Sequence, residues 1–319
     1  MTREPEGRRG APVRPRVASR PSAREQQRSA RGLAVVVALL TVALIGGAGA
    51  LALLVSAPRA AAPGAPAAPG VLQEPDAPPP PPEPEPALDE RAAGLALDPS
   101  AQTDWRLDGT GEKTVYLTFD DGPSDNTPRV LDVLDRYGVK ATFFVTGHEP
   151  DKRGYIRDAY ERGHSIGLHT MTHDYAQVYA SEDAFFGDLD QVGQVVKEQI
   201  GFVPYLTRFP GGASNTVSAN YCPGIMSALV SDLPARGYQF YDWNVSSGDA
   251  AGTNVDVEKI VQSSCVEGYT NVMLLFHDSA TKDTTPDALP RIIEFYQQRG
   301  YRFEPITREG FVCHHGVNN

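Results

Sequence analysis

Cysteine is scarce in this chain. Its 319 residues hold three, Cys222, Cys265 and Cys313. None stands in a C-x-x-C pair, which argues against a thiolate zinc site. Outside the cell they allow one disulfide and one free thiol, and the sequence leaves the pairing open. Positive charge is also short, and the net charge is −11. Residues 1–31 carry nine Arg against three Glu, so the remainder carries −17. So acidic a body argues against nucleic acid or another polyanion as partner. No internal repeat is present.

The Arg-rich head, 1–31, has no apolar periodicity and is expected to be a disordered cytoplasmic tail. The next segment, 32–56, lacks charge. From Leu33 to Val55 it runs 23 residues rich in Leu, Val and Ala. That length suits one transmembrane helix, with the arginines keeping the head inside and exporting the rest. The competing reading is a cleaved signal, with small residues at Val55-Ser56-Ala57, which would leave the protein secreted. Residues 57–99 lack the means to bury a core. They are an Ala/Pro-rich linker with an unbroken proline run at 78–82. From Pro58 to Pro86 an extended chain at ~3.1 Å per residue would reach roughly 90 Å.

Residues 100–319 read as one catalytic domain in which strand and helix patterns alternate. Strands are expected at 114–120, 141–146, 164–168, 205–209, 238–243, 271–276 and 302–306. Helices are expected at 127–137, 151–162, 181–200, 225–236, 256–266 and 290–299. The alternation predicts an α/β fold, a distorted barrel of about seven parallel strands, with a doubly wound sheet as the alternative.

Polar clusters fall where apolar runs end: Asp120-Asp121-Gly122, His169 to His173, Arg208 to Gly212, Asp242-Trp243 and His277-Asp278. A β/α barrel gathers such strand ends at one mouth. Of two adjacent aspartates, one suits a metal and its neighbour suits a proton from bound water. His169 and His173, four apart, would share a metal from one face of a helical turn. With Asp121 they make a three-ligand set that leaves room for water, as in catalytic zinc. Arg208 suits a fork onto a carboxylate, and the following glycine turn exposes N–H groups for an oxyanion. His277 suits a proton donor, Asp242 its orienting partner, and Trp243 a wall. For His314 and His315 a solvated tail is preferred to a second metal site.

Together the segments T-F-D-D-G, H-T-M-T-H, R-F-P-G-G, D-W and L-F-H, in that order, resemble the polysaccharide deacetylases. These are the NodB-homology domains of carbohydrate esterase family 4, and the resemblance covers roughly 114–312. It implies a distorted barrel and hydrolytic N-deacetylation of N-acetylglucosamine units in a polymer. It also implies Asp120 as base, Asp121, His169 and His173 as ligands of a divalent metal, and Arg208 as the holder of Asp120. His277 is then the acid, paired with Asp242. Leu275 and Trp243 line the acetyl-methyl pocket, and Pro210 joins them at the substrate. Zinc is the expected metal, with cobalt or manganese as alternatives. One departure is Gly211, where many members carry a bulky residue after the motif proline; its N–H remains available to an oxyanion. The surroundings of Trp243 and the closing His-His-Gly-Val-Asn-Asn look like a bacterial wall-associated branch. Peptidoglycan is the expected polymer, the cell membrane the expected location, and a monomer the expected state. The same centre could serve an O-deacetylase acting on xylan or wall sugars. A catalytically silent glycan-binding domain is the remaining alternative.

Overall fold

Seven consecutive residues with every side chain buried, Thr114–Asp120, form β1 at the centre of the sheet. A strand buried on both faces is what a parallel sheet under helices requires. The computed structural model describes residues 88–101, 107, 109 and 111–319. The head, the uncharged segment from Leu33 to Val55 and most of the linker lie outside the described residues. Among the described residues no helix is long and apolar enough to cross a membrane.

The sheet has eight strands: β1, β2 (Thr142–Val145), β3 (Ser165–Leu168), β4 (Leu206–Thr207), β5 (Gln239–Phe240), β6 (Val245–Ser246), β7 (Asn271–His277) and β8 (Arg302–Phe303). Pairing is parallel throughout, in the order β5-β4-β3-β2-β1-β7-β6. One edge of β1 is divided. Its first two residues pair with β8, and Thr118 to Asp120 pair with β2. The strand absent from the sequence reading is β6.

β5 and β6 lie at opposite ends of this path, yet only residues 241–244 join them. Seven flat strands would separate the ends by ~29 Å. Five peptide steps reach ~18 Å at most. The sheet must therefore curl until its edges approach, which rules out an open doubly wound sheet. The result is the expected distorted barrel, open between β5 and β6.

Alternation along the strands sorts the core in two. Val115, Leu117 and Phe119, with Val272, Leu274 and Phe276, face the helical layer. Tyr116 and Met273 face inward with Phe144, Tyr241 and Ile306. Continuing that inner face toward the strand ends brings Thr118 and Asp120, then Leu275 and His277, to the mouth.

Helices follow in chain order: α1 (Glu90–Leu95), α2 (Asn126–Tyr137), α3 (Gly154–Glu161), α4 (Tyr175–Val178), α5 (Glu182–Ile200), α6 (Ile225–Asp232), α7 (Val257–Ser264) and α8 (Thr285–Gln297). α5 matches its sequence signals. Ser181 accepts from the Ala184 N–H, Phe185, Leu189, Val192 and Val196 are buried, and Gly201 ends it at φ 89°. α6 stops at Asp232 because Pro234 follows. α8 starts five residues before the expected 290, with Pro286 in its first turn and Pro290 inside. α1 corrects the linker boundary. Residues assigned to linker form a helix that buries Ala92 and Leu95. Its Arg91 donates to the carbonyls of Tyr160 and His164. No disulfide forms; all three cysteines are free.

Candidate active site

Strand register levels the site. Asp120 is the pairing partner of His277 on β7 and of Phe144 on β2. Leu168 pairs with Thr207, and Thr207 with Phe240. His169 and Arg208 are therefore the first residues past two neighbouring strand ends.

Asp120 continues the inward face of β1. Asp121 would point the other way in a strand, but its φ is 70°. That left-handed turn swings its carboxylate back to the mouth, 3.3 Å from the Nε2 atoms of both His169 and His173. Gly122 follows because a Cβ there would lie 2.3 Å from the buried Asp278 carboxylate. Asp278 turns away from the mouth and is held by the Thr127 hydroxyl.

The segment 169–173 is not the helical turn its spacing suggested. Thr170 has φ 80° and His173 has φ 52°, so the two histidines converge from an irregular loop. A β-branched residue at positive φ is a strained outlier. Asp188 of α5 holds it there, accepting from the Met171 N–H and, at 2.7 Å, from the Thr172 hydroxyl. Asp188 escaped the sequence reading. Its only signal was a carboxylate on the buried stripe of α5, next to Leu189.

His169 Nδ1 lies 2.8 Å from the Arg208 carbonyl. That carbonyl takes the Nδ1–H and leaves Nε2 free to ligate. The ligand atoms of Asp121, His169 and His173 all lie within 4.8 Å of one another. Asp121 Oδ1 is buried without a hydrogen-bond partner among the described residues. A divalent cation would satisfy that orphan, and two imidazoles with one carboxylate suit it. These three residues form a candidate metal site. Burial alone would raise the Asp121 carboxyl, but the adjacent imidazole of His169, then that of His173, holds it below the usual carboxylate range.

Arg208 is fully buried and every arm of its guanidinium is used. One terminal nitrogen donates to Asp120 Oδ1 at 2.8 Å and to the Thr118 hydroxyl at 2.7 Å. Nε donates to the Tyr241 carbonyl and the other terminal nitrogen to that of Asp242. The guanidinium stacks 4.2 Å over Phe144. The expected contact with Asp120 is present but not as a fork: one nitrogen reaches one carboxylate oxygen, and the other donors go to Thr118 and two backbone carbonyls.

Asp242 does not pair with His277. Its carboxylate accepts from the Ala213 and His315 N–H groups at 2.9 and 2.8 Å, bracing the glycine turn. The partner of His277 is Asp249. One of its oxygens lies 2.8 Å from His277 Nδ1, and the other takes the His277 N–H and the Thr285 hydroxyl. β6 pairs directly with β7 and runs into the turn that carries Asp249. Without β6, nothing in the sequence singles out that aspartate. Lys282 fixes the same turn through the carbonyls of Asp249 and Gly252. Burial alone would lower His277, but the hydrogen bond and charge of Asp249, then Asp121 and Asp120, push it up to about 9.

A cavity of about 350 Å³ joins these groups, lined by Asp120, Asp121, His169, His173, Tyr175, Gly211, Trp243, Ala250, Leu275, His277 and Lys282. Pro210 is not on this wall. It is buried beneath, accepting from the Tyr179 hydroxyl. Over Gly211 (φ 77°) sits the Tyr175 hydroxyl, 2.4 Å from where a Cβ would be. A larger cavity, about 510 Å³, lies by Leu97 and Phe202, away from these groups.

The model of the family described as "Polysaccharide deacetylase" matches residues 108–222. A peptidoglycan-N-acetylglucosamine deacetylase of Bacillus cereus is 31% identical over 214 residues, covering 66% of this chain and 94% of the relative. The chain belongs to the polysaccharide deacetylase family. The catalytic domain of a peptidoglycan N-acetylglucosamine deacetylase from Eubacterium rectale superposes with TM-score 0.64 at 46% identity, covering 69% of this chain and 98% of that one. A polysaccharide deacetylase of Bacillus cereus gives TM-score 0.55 at 28% identity, covering 65% of this chain and 97% of that one. The residue paired with His277 is Asp249. The Tyr175 hydroxyl occupies the space a side chain at Gly211 would need.

Proposed function

We propose that this deacetylase hydrolyses the N-acetyl group of N-acetylglucosamine units in a wall polymer, peptidoglycan foremost. The observation that carries this is one cavity in which Asp120 and His277, partners in strand register, flank the Asp121–His169–His173 set. The names of the Eubacterium rectale and Bacillus cereus relatives support the polymer.

Asp121, His169 and His173 would hold the ion, with zinc favoured by two nitrogens and one carboxylate. When bound, the ion supplies Lewis-acid activation of water and of the amide carbonyl. Asp120, anchored by Arg208, takes the proton of the attacking water. The Gly211 N–H faces the oxygen that gains charge. Leu275 and Trp243 enclose the methyl group. His277, protonated at neutral pH beside Asp249, gives its proton to the leaving amine. Acetate and a free amino sugar result. In the same reading the segment from Leu33 to Val55 anchors the chain, and the linker carries the enzyme into the wall. The length of that segment and the arginines before it support this.

The test is acetate release by the purified full-length chain from N-acetylglucosamine oligomers, peptidoglycan and acetylated xylan, after chelation and with zinc, cobalt or manganese restored. Metal-restored release from the amide substrates is expected. Release from xylan alone would replace this reading with an O-deacetylase. No release from a folded, metal-loaded chain would leave a glycan-binding domain.

A further inference from the structure

Tyr175 opens α4 two residues after His173, and its ring is fixed on two sides. It meets the His173 ring edge-on at 5.9 Å and that of Tyr179 at 5.3 Å. Tyr179 is itself tied to the Pro210 carbonyl. Asp174 caps the short helix through the Ala176 N–H. The ring is thus held by packing, while its hydroxyl lines the cavity and is bonded to no group among the described residues.

That hydroxyl lies 2.4 Å from the Cβ position of Gly211. A Cβ site is about 2.5 Å from the nitrogen of its own residue, so Tyr175 Oη lies within about 5 Å of the Gly211 nitrogen. Two donors each ~2.7–3.1 Å from one oxygen can be at most ~6 Å apart. The Gly211 N–H likewise has no acceptor among the described residues, on a residue exposed between buried neighbours. Two unengaged donors at such a distance, opening into the cavity that holds Asp120 and the candidate metal ligands, suit a single incoming oxygen.

We propose that the Tyr175 hydroxyl is a catalytic group, a second donor with the Gly211 N–H to the carbonyl oxygen that gains charge during hydrolysis. It rests on the deacetylase reading above. A phenol is protonated at neutral pH and donates without changing its own charge. Gly211 is required because any side chain there would displace the hydroxyl, in addition to its positive φ.

Tyr175→Phe removes one oxygen and keeps the ring and its packing. With the full-length, zinc-reconstituted chain on N-acetylglucosamine oligomers, kcat should fall by about 10²-fold with KM within about twofold. Unchanged kcat, or a rise in KM alone, would overturn the proposal. Acetate, which carries the reacting carbonyl oxygen, provides an arm independent of turnover. Calorimetric titration should show several-fold weaker acetate binding to Tyr175→Phe than to the unaltered chain, and equal affinities would overturn it. A chain that binds acetate through Tyr175 but releases none from an amide would fail the proposed function and not this one.

Discussion

The Asp249 carboxylate lies 2.8 Å from His277 Nδ1, across the edge where β6 meets β7. The same carboxylate takes the His277 backbone N–H, and the Asp249 carbonyl takes the Lys282 ammonium. His277 therefore has a fixed ring, a fixed tautomer and a negative neighbour, which a proton donor to an amine needs.

The alkaline side of the pH profile should report that pair. His277 stays protonated up to about 9, the burial that would lower it being outweighed mainly by Asp249. Activity should accordingly persist to about that pH and decline above it. Asp249→Asn removes the negative neighbour, so the imidazolium loses its stabilisation and the alkaline limb should move down by about one pH unit or more. Asp242→Asn should leave that limb in place. Acetate release measured from pH 6 to 10 decides, and an unmoved limb in Asp249→Asn would remove Asp249 from this role.

Arg208 should be expensive to replace. It is wholly buried and joins Asp120, Thr118 and two backbone carbonyls. Arg208→Met strands the Asp120 carboxylate and leaves those acceptors unpaired, a loss of about 3–5 kcal/mol. Arg208→Lys restores the charge without the planar set of donors that reaches Thr118 and both carbonyls, so it should recover only part of that stability. Urea unfolding of the three proteins tests the order; a lysine variant as stable as the unaltered chain would contradict the need for these four hydrogen bonds.

How much of this was readable follows from what each residue depends on. β1, β7 and α5 were legible because their burial is continuous or periodic over six residues or more. The positions of Asp120, Asp121, His169, His173, Arg208 and His277 were legible because strand ends share one mouth. β6 and α1 are two and six residues long, too short to leave a period. Asp249 was hidden because its role depends on β6. The convergence of His169 and His173 was anticipated for the wrong reason, since it comes from positive φ values and Asp188, which spacing cannot show. Tyr175 over Gly211 is a contact between the start of α4 and the turn after β4, with no local signal.

The candidate metal site makes a prediction independent of turnover. A ligand that binds the folded chain alone stabilises it, by about 2.7 kcal/mol at a hundred times its Kd. Zinc added to the chelated chain should raise Tm, and the rise should vanish in Asp121→Ala and in His173→Ala. Removing Asp121 also removes the buried, unpartnered oxygen. The metal-free Asp121→Ala chain loses the histidine attraction as well as that oxygen, so the zinc-induced rise is read against each variant's own metal-free Tm. A zinc-induced rise that survives both substitutions would place the ion elsewhere.

The two closing histidines, expected as a solvated tail, are packed on the barrel and do different things. His315 Nε2 lies 2.6 Å from the Trp243 carbonyl, and its Nδ1 lies 3.1 Å from the Ser214 hydroxyl. One neutral tautomer satisfies both: Nε2–H donates to the carbonyl, and Nδ1 accepts from the serine. The ring edge also meets the Trp243 ring at 4.7 Å. His314 instead stacks on Phe240 at 3.9 Å and reaches its carbonyl, away from the cavity wall. Each ring should contribute about 1–3 kcal/mol through its packing and hydrogen bonds. Of the two, only His315 supports the tryptophan that lines the cavity. His315→Ala should therefore raise KM several-fold with a smaller change in kcat, whereas His314→Ala should lower Tm at unchanged KM. Steady-state kinetics of both variants at one temperature below either Tm separate the roles. Equal KM values for the two would reduce His315 to a purely structural brace.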